Sequence, residues 1–257
     1  MKKVELLAPA KDYESGVVAV NYGADAVYIG AARFGARQAV GNTLGDIEKL
    51  AGYAHKYWAR VYATVNTLLF DNEIEEAVDL IHHLYQSGVD AVIIQDLGLL
   101  ESDLPPIPLY ASTQMHSHTP EKVAFLETIG IQRVILAREL SLAQISAIRA
   151  ATTVELETFI HGALCVCYSG QCGLSYAIGG RSGNRGQCAQ PCRRCYSLVD
   201  GNGEQIVNKS HLLSLKDLNL TDYLQDLLTA GVYSFNLFHI QPPCSLHQGI
   251  KCTSSCL

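Results

Sequence analysis

Eight short apolar, β-branched runs recur along the first 238 residues, and most are followed by a stretch with helical periodicity. The runs fall at 4–8, 26–30, 60–66, 91–95, 108–112, 133–137, 154–160 and 232–238. Helical patterning fills 13–22, 44–57, 74–86, 97–101 and 120–129, with Gly23 and Gly88 as stop signals. Ser141 opens a further helix, with Gln144 three residues on as its capping-box partner. Ser214-Leu215-Lys216-Asp217 predicts a second such box, followed by helix to Ala230 and a stop at Gly231. Strands that alternate with helices build a parallel sheet with the helices packed outside it. Eight such units predict a TIM-like (β/α)8 barrel over residues 1–238, with an open doubly wound sheet as the alternative. The strands are continuous apolar runs, as expected where both faces are covered. A chain of 257 residues with 48% hydrophobic content suits one domain of this size.

A barrel of this kind carries its chemistry at the C-terminal ends of its strands. The polar residues there are Asn66, Gln95, Asp96, Ser112, Gln114, Arg138 and His161. Arg33 and Arg37 lie in the loop after the second strand. Strand-end polar residues also cap loops, so each alone says little. A cysteine-rich segment leaves from the end of the seventh strand, and it is expected to sit over the same mouth.

That segment, residues 162–213, breaks the pattern. It is rich in Gly, Cys, Arg, Ser and Asn and has weak periodicity. Six of the nine cysteines fall in it: Cys165, Cys167, Cys172, Cys188, Cys192 and Cys195. The other three, Cys244, Cys252 and Cys256, lie in the last fourteen residues. No secretory leader and no run of about 18 apolar residues is present, which predicts a cytoplasmic chain. In that compartment clustered thiols point to a metal or cluster site rather than to disulfides. The net charge is −6, against a general nucleic-acid coat. Between Thr158 and Val199, however, there is no acid, while Arg181, Arg185, Arg193 and Arg194 give +4. Such a window either attracts an anion or offsets the charge of thiolates.

The stretch Glu157-Thr-Phe159-Ile-His161-Gly162-Ala163-Leu164-Cys165, continuing through Cys167, Gly170, Cys172 and Ser175, carries a recognisable motif. It closely resembles the signature of the collagenase-like peptidase family of unassigned catalytic type. Glu5-Leu6-Leu7-Ala8-Pro9-Ala10, residues 23–30 and residues 213–218 match the same family. The resemblance spans about residues 4–235. Some members of the family are described as proteases; others resemble iron–sulfur proteins that hydroxylate RNA bases. The stretch from Asn184 to Arg193 is most similar to the branch acting on cytidine of large-subunit ribosomal RNA. A sister branch acts on the wobble uridine of tRNA, with prephenate as a small-molecule requirement.

The resemblance implies Cys165, Cys172, Cys188 and Cys192 as ligands of a [4Fe–4S] cluster, with zinc as the alternative. Cys195 is the substitute for Cys192, and Cys167 is a spare. On the RNA reading, Arg33, Arg37, Asn66, Gln114, Arg181, Arg185 and Arg193 are substrate-binding candidates. Glu157 and His161 are catalytic candidates. Tyr168, Tyr176 and Tyr196 are rings able to stack on a base or to pack the insertion. A protease would need an activated nucleophile or an open metal position. No G-x-S-x-G or H-E-x-x-H is present, and His161 with Cys165 is the pairing left for such a role.

Relatives continue the eighth strand as Ser-Phe-Lys-Ile-Glu-Gly-Arg and then form a helix. Here the sequence reads Ser234-Phe235-Asn236-Leu237-Phe238-His239. A barrel without its last helix is therefore expected, with 239–257 a divergent, poorly ordered tail. That pattern fits a truncated or frameshifted product, and an inactive family member is the corresponding functional alternative.

Overall fold

Strand closure dominates the architecture. The structure is a computed structural model that describes residues 4–36, 41–214 and 217–237. Its strands are β1 (Glu5–Ala10), β2 (Ala26–Gly30), β3 (Arg60–Val65), β4 (Ala91–Ile94), β5 (Leu109–Ala111), β6 (Arg133–Ile135), β7 (Glu155–Ala163), β8 (Cys195–Val199), β9 (Gln205–His211), β10 (Asp217–Asn219) and β11 (Ser234–Leu237). β1 to β7 pair in sequence order, all parallel, and β11 pairs with both β7 and β1. The ring is closed, with eight parallel strands as the sequence predicts.

The helices are α1 (Tyr13–Asn21), α2 (Leu44–Ala54), α3 (Ile74–Gln86), α4 (Pro120–Thr128), α5 (Leu142–Ala151), α6 (Leu174–Gly179) and α7 (Leu224–Thr229). Their starts are written locally. The side chains of Asp12, Thr43 and Ser141 each accept from the backbone N–H three residues on, and their own N–H groups donate to the side chain of that residue. Thr119 caps α4, with Pro120 in its first turn. Residues 97–101 form a 3-10 turn rather than an α-helix.

The apolar residues form two layers. One lies between strands and helices, where Ile47, Leu50, Ile81, Leu84 and Ile148 meet Val27, Val61, Val92 and Val134. The other fills the barrel itself and includes Leu7, Tyr62, Ile93, Tyr110, Ile135 and Phe159. Beside this inner layer sits a buried ion network. Arg133, fully buried, donates to Glu5 at 2.5 Å, to Glu155 at 3.0 Å and to Glu157 at 3.3 Å. Tyr62 and Ser234 also donate to Glu5, at 2.6 and 2.9 Å, and Asn236 donates to Glu157 at 2.6 Å. The guanidinium lies within 4.5–5.3 Å of the ring centroids of Tyr62, Tyr110 and Tyr233.

The cysteine-rich insertion leaves at the top of β7, which extends past the ring. β10 runs antiparallel to that extension, from Asp217 opposite Ala163 to Asn219 opposite His161. The expected capping box at 214–217 therefore gives way to a different arrangement. The Ser214 hydroxyl donates to the Leu164 carbonyl and its N–H to the Cys192 carbonyl. Asp217 is strand, and the helix begins only at Leu224. An available backbone edge on β7 outweighs a local cap. Leu215 and Lys216 of the predicted box lie outside the described residues, as does the predicted tail at 239–257. Within the insertion, β8 and β9 form an antiparallel hairpin that the sequence reading did not anticipate.

One glycine fixes how the insertion docks. Gly170 has φ +72°, and a Cβ there would stand 2.0 Å from the Gln114 carbonyl oxygen. Gly170→Ala is expected to cost at least about 1–2 kcal/mol from the left-handed backbone alone. Limited proteolysis should then cut within 162–213 roughly tenfold faster while the barrel stays protected. Unchanged cleavage would mean that the close approach does not hold the insertion down.

Candidate active site

The insertion folds back over the C-terminal ends of β3, β5 and β6. Its first turn is tied to the end of β6 by Ser169, a fully buried residue. The Ser169 hydroxyl accepts from the Arg138 N–H at 3.2 Å and donates to Glu139 at 2.9 Å. The Ser169 N–H donates to Glu139 at 3.1 Å. A second tie comes from Arg185, whose guanidinium meets both oxygens of Glu73 at 2.6 and 2.7 Å. Arg185 also donates to the Leu68 carbonyl and lies 3.9 Å from the Phe70 ring centroid. The pairing holds the Glu73 carboxyl down at about 2. Asn184 adds bonds to Leu68 and Gly170.

Five of the six insertion thiols, all but Cys195, lie near enough to act on one another's charge. Burial pushes the Cys192 thiol pKa up, and the nearby thiols of Cys165, Cys188 and Cys172 push it further. The Cys165 sulfur accepts from Arg138 at 3.2 Å, and the Cys188 sulfur accepts from the Gln190 N–H at 3.4 Å. Cys167 lies beside them: burial and then Cys172 raise its pKa. Cys195 goes elsewhere, to a 3.5 Å contact with His211 on the hairpin. Among the described residues no group of three or more His, Cys, Asp or Glu side chains is placed to hold a metal ion. The three cysteines beyond 237 lie outside the described residues.

Beside these thiols is a cleft of about 440 Å³, lined by Arg138, Glu139, Leu164, Cys165, Val166, Cys167 and Tyr168. Glu139 is held below the usual carboxylate range: burial opposes this, but the Ser169 hydroxyl and N–H outweigh it. Its neighbour His116, at 3.2 Å, is held below the usual histidine range by burial and by His118. Glu139 and His116 escaped the sequence reading. Glu139 carried a signal in following Arg138 at a strand end; His116 carried none.

The other predicted residues divide. Asn66 accepts from the Ala36 N–H and donates to Ser112, at the mouth. Gln114 lies under Gly170. His161 is half-buried where β10 joins β7. Glu157 is fully buried in the ion network, away from the cleft-lining residues. The predicted substrate-binding arginines that are described each have a protein partner: Arg33 with Glu76, Arg181 with the Gln187 carbonyl, Arg185 with Glu73 and Arg193 with Asp217. Glu73 and Asp217 come from outside the acid-free window, so its +4 overstates the local positive surface. Arg37 lies outside the described residues.

Relatives share this sequence. The model of peptidase family U32 matches residues 11–237. The chain is 52% identical over 235 residues to the 23S rRNA 5-hydroxycytidine C2501 synthase of Escherichia coli K12, covering 91% of this chain and 36% of that protein. It is 35% identical to tRNA hydroxylation protein P1 of Bacillus subtilis 168, covering 92% of this chain and 58% of that one. It is 31% identical to a collagenase of Porphyromonas gingivalis W83, covering 91% and 60%. The chain thus spans between about a third and three fifths of these relatives. Among solved structures, the U32 peptidase Mk0906 superposes with a TM-score of 0.61 at 16% identity, covering 95% of this chain and 96% of that one, which supports the fold alone. Signature, barrel and family match agree: the chain belongs to peptidase family U32.

Proposed function

We propose that this chain is the barrel of an iron–sulfur-dependent RNA base hydroxylase whose target is a cytidine of large-subunit ribosomal RNA. The observation that carries the reading is the approach of the Cys165, Cys172 and Cys188 thiols to Cys192 beside an apolar, arginine-edged cleft. The names of its relatives supply the reaction class and the RNA. Cys165, Cys172, Cys188 and Cys192 would hold a [4Fe–4S] cluster. Four sulfurs around one zinc ion must each come within about 2.3 Å of it. A [4Fe–4S] cluster supplies one-electron redox chemistry at a potential set by its surroundings.

The chain's own residues do the rest. Arg138 sets a positive charge against the Cys165 sulfur. Arg185, Ser169 and Gly170 hold the insertion at the mouth. The cleft beside Cys165 takes a single base, so the target must be unpaired or turned out of its helix. A peptidase reading has the collagenase-like relative in its favour. Among the described residues the cleft thiols contact no base: Cys165 accepts from Arg138, Cys167 donates to the Gln171 carbonyl, and the Cys195–His211 contact lies on the hairpin.

Anaerobic reconstitution with iron and sulfide tests this. The expected result is four iron and four sulfide per chain with a broad sulfur-to-iron absorption band. Tight zinc binding with no sulfide uptake would contradict it.

A further inference from the structure

Next to the thiols, three rings are stacked. His116 and His118 lie 4.1 Å apart at an interplanar angle of 12°. Tyr168 stacks on His116 at 5.7 Å and 25°. Tyr168 is 66% exposed and lines the cleft, so the stack ends in an aromatic ring at the site. The other candidate rings differ. Tyr196 donates its hydroxyl to the Pro191 carbonyl, and Tyr176 is exposed but does not line the cleft. A packing role accounts poorly for a ring that leaves most of its surface in water.

The same cleft carries one defined acceptor. Glu139 Oε1 accepts from the Ser169 N–H and Oε2 from the Ser169 hydroxyl, and His116 Nε2 lies 3.2 Å from Oε1. An ionised carboxylate has about four acceptor sites. The Glu139 side chain is 27% exposed, so the carboxylate can accept from a donor entering the cleft. Cytosine presents an exocyclic amine, which donates to carboxylates; uracil presents a carbonyl at that position, which a carboxylate repels. Ser169 couples the two features, since it bonds Glu139 and is the next residue after Tyr168.

We propose that Tyr168, backed by His116 and His118, is the platform on which the target pyrimidine stacks, and that Glu139 selects cytosine by accepting from its amine. The inference rests on the RNA-hydroxylase reading and gives it a base-binding subsite. Base–aromatic stacking of this kind tolerates any base, so selectivity falls to Glu139 and affinity to Tyr168.

The test is equilibrium binding of the full chain to labelled single-stranded RNA bearing one cytidine flanked by abasic residues, against the same strand with uridine. Wild type should prefer the cytidine strand. Tyr168→Ala should weaken binding about 5- to 100-fold, while Tyr168→Phe stays within about twofold. Glu139→Gln should bind both strands within about twofold of each other, since an amide can donate as well as accept. Thermal melts of the Tyr168 variants should match wild type, because the ring is exposed. Wild type that binds RNA, with Tyr168→Ala equal to it, overturns the platform and leaves the hydroxylase reading standing. Equal cytidine preference in Glu139→Gln overturns the selector. Wild type that binds neither strand overturns both the subsite and the reading beneath it.

Discussion

Arg133→Met is expected to destabilise the barrel by about 3–5 kcal/mol, the cost of leaving buried carboxylates without their cation. Arg133 is fully buried, and so is Glu157; the Glu5 side chain is 5% exposed. Three carboxylates share this guanidinium, and Arg60 lies 3.7 Å from Glu5. Chemical denaturation gives the number directly. Adding Glu5→Gln and Glu157→Gln to Arg133→Met should restore most of the loss, because a buried ion network and its neutral replacement are often close in energy. A loss under about 1 kcal/mol for Arg133→Met alone would mean that the network relaxes or hydrates in solution.

The same network gives stability a pH slope. Burial raises the Glu157 carboxyl pKa to about 7, with Arg133 and Asn236 opposing the shift. The folded state therefore binds the proton more tightly than the unfolded chain does. Its contribution is complete below the unfolded value near 4.5 and is lost as pH rises through about 7. Glu157→Gln should flatten stability across that window.

Serine substitution of Cys165, Cys172, Cys188 or Cys192 is expected to cut reconstituted iron to below roughly a tenth of wild type, since each removes a cluster ligand. Cys167→Ser and Cys195→Ser should keep most of it. Cys195 faces His211 on the hairpin, while Cys192 feels Cys165, Cys172 and Cys188; Cys167 lies beside Cys172 but falls outside the ligand set that the family resemblance implies. Iron analysis of the six variants separates these groups. Loss in Cys195→Ser with retention in Cys192→Ser would exchange the fourth ligand.

Much of the barrel was legible because its rules are local. The second strand and the third helix fall on their predicted residues, 26–30 and 74–86, and Ser141 with Gln144 forms the predicted box. The insertion was less legible for a physical reason. β8, β9 and β10 are held by pairing partners, with little hydrophobic period to announce them. Ser214 illustrates this, since a sound capping pattern lost to partners at Leu164 and Cys192. Charge misled in a similar way. Arg185 and Arg193 look unpaired along the chain, yet Glu73 and Asp217 meet them in space. Arg133 opens an apolar strand and gives no hint of burial until barrel closure brings Glu5 and Glu157 to it. The cysteines were singled out by a long motif rather than by any local period.

The most direct measurement is mass spectrometry of hydroxylated nucleosides in ribosomal and transfer RNA from cells with and without the gene. Loss of 5-hydroxycytidine from large-subunit ribosomal RNA on deletion is the predicted result. Unchanged hydroxycytidine and hydroxyuridine in the deletion strain would contradict the assignment of this barrel to RNA hydroxylation.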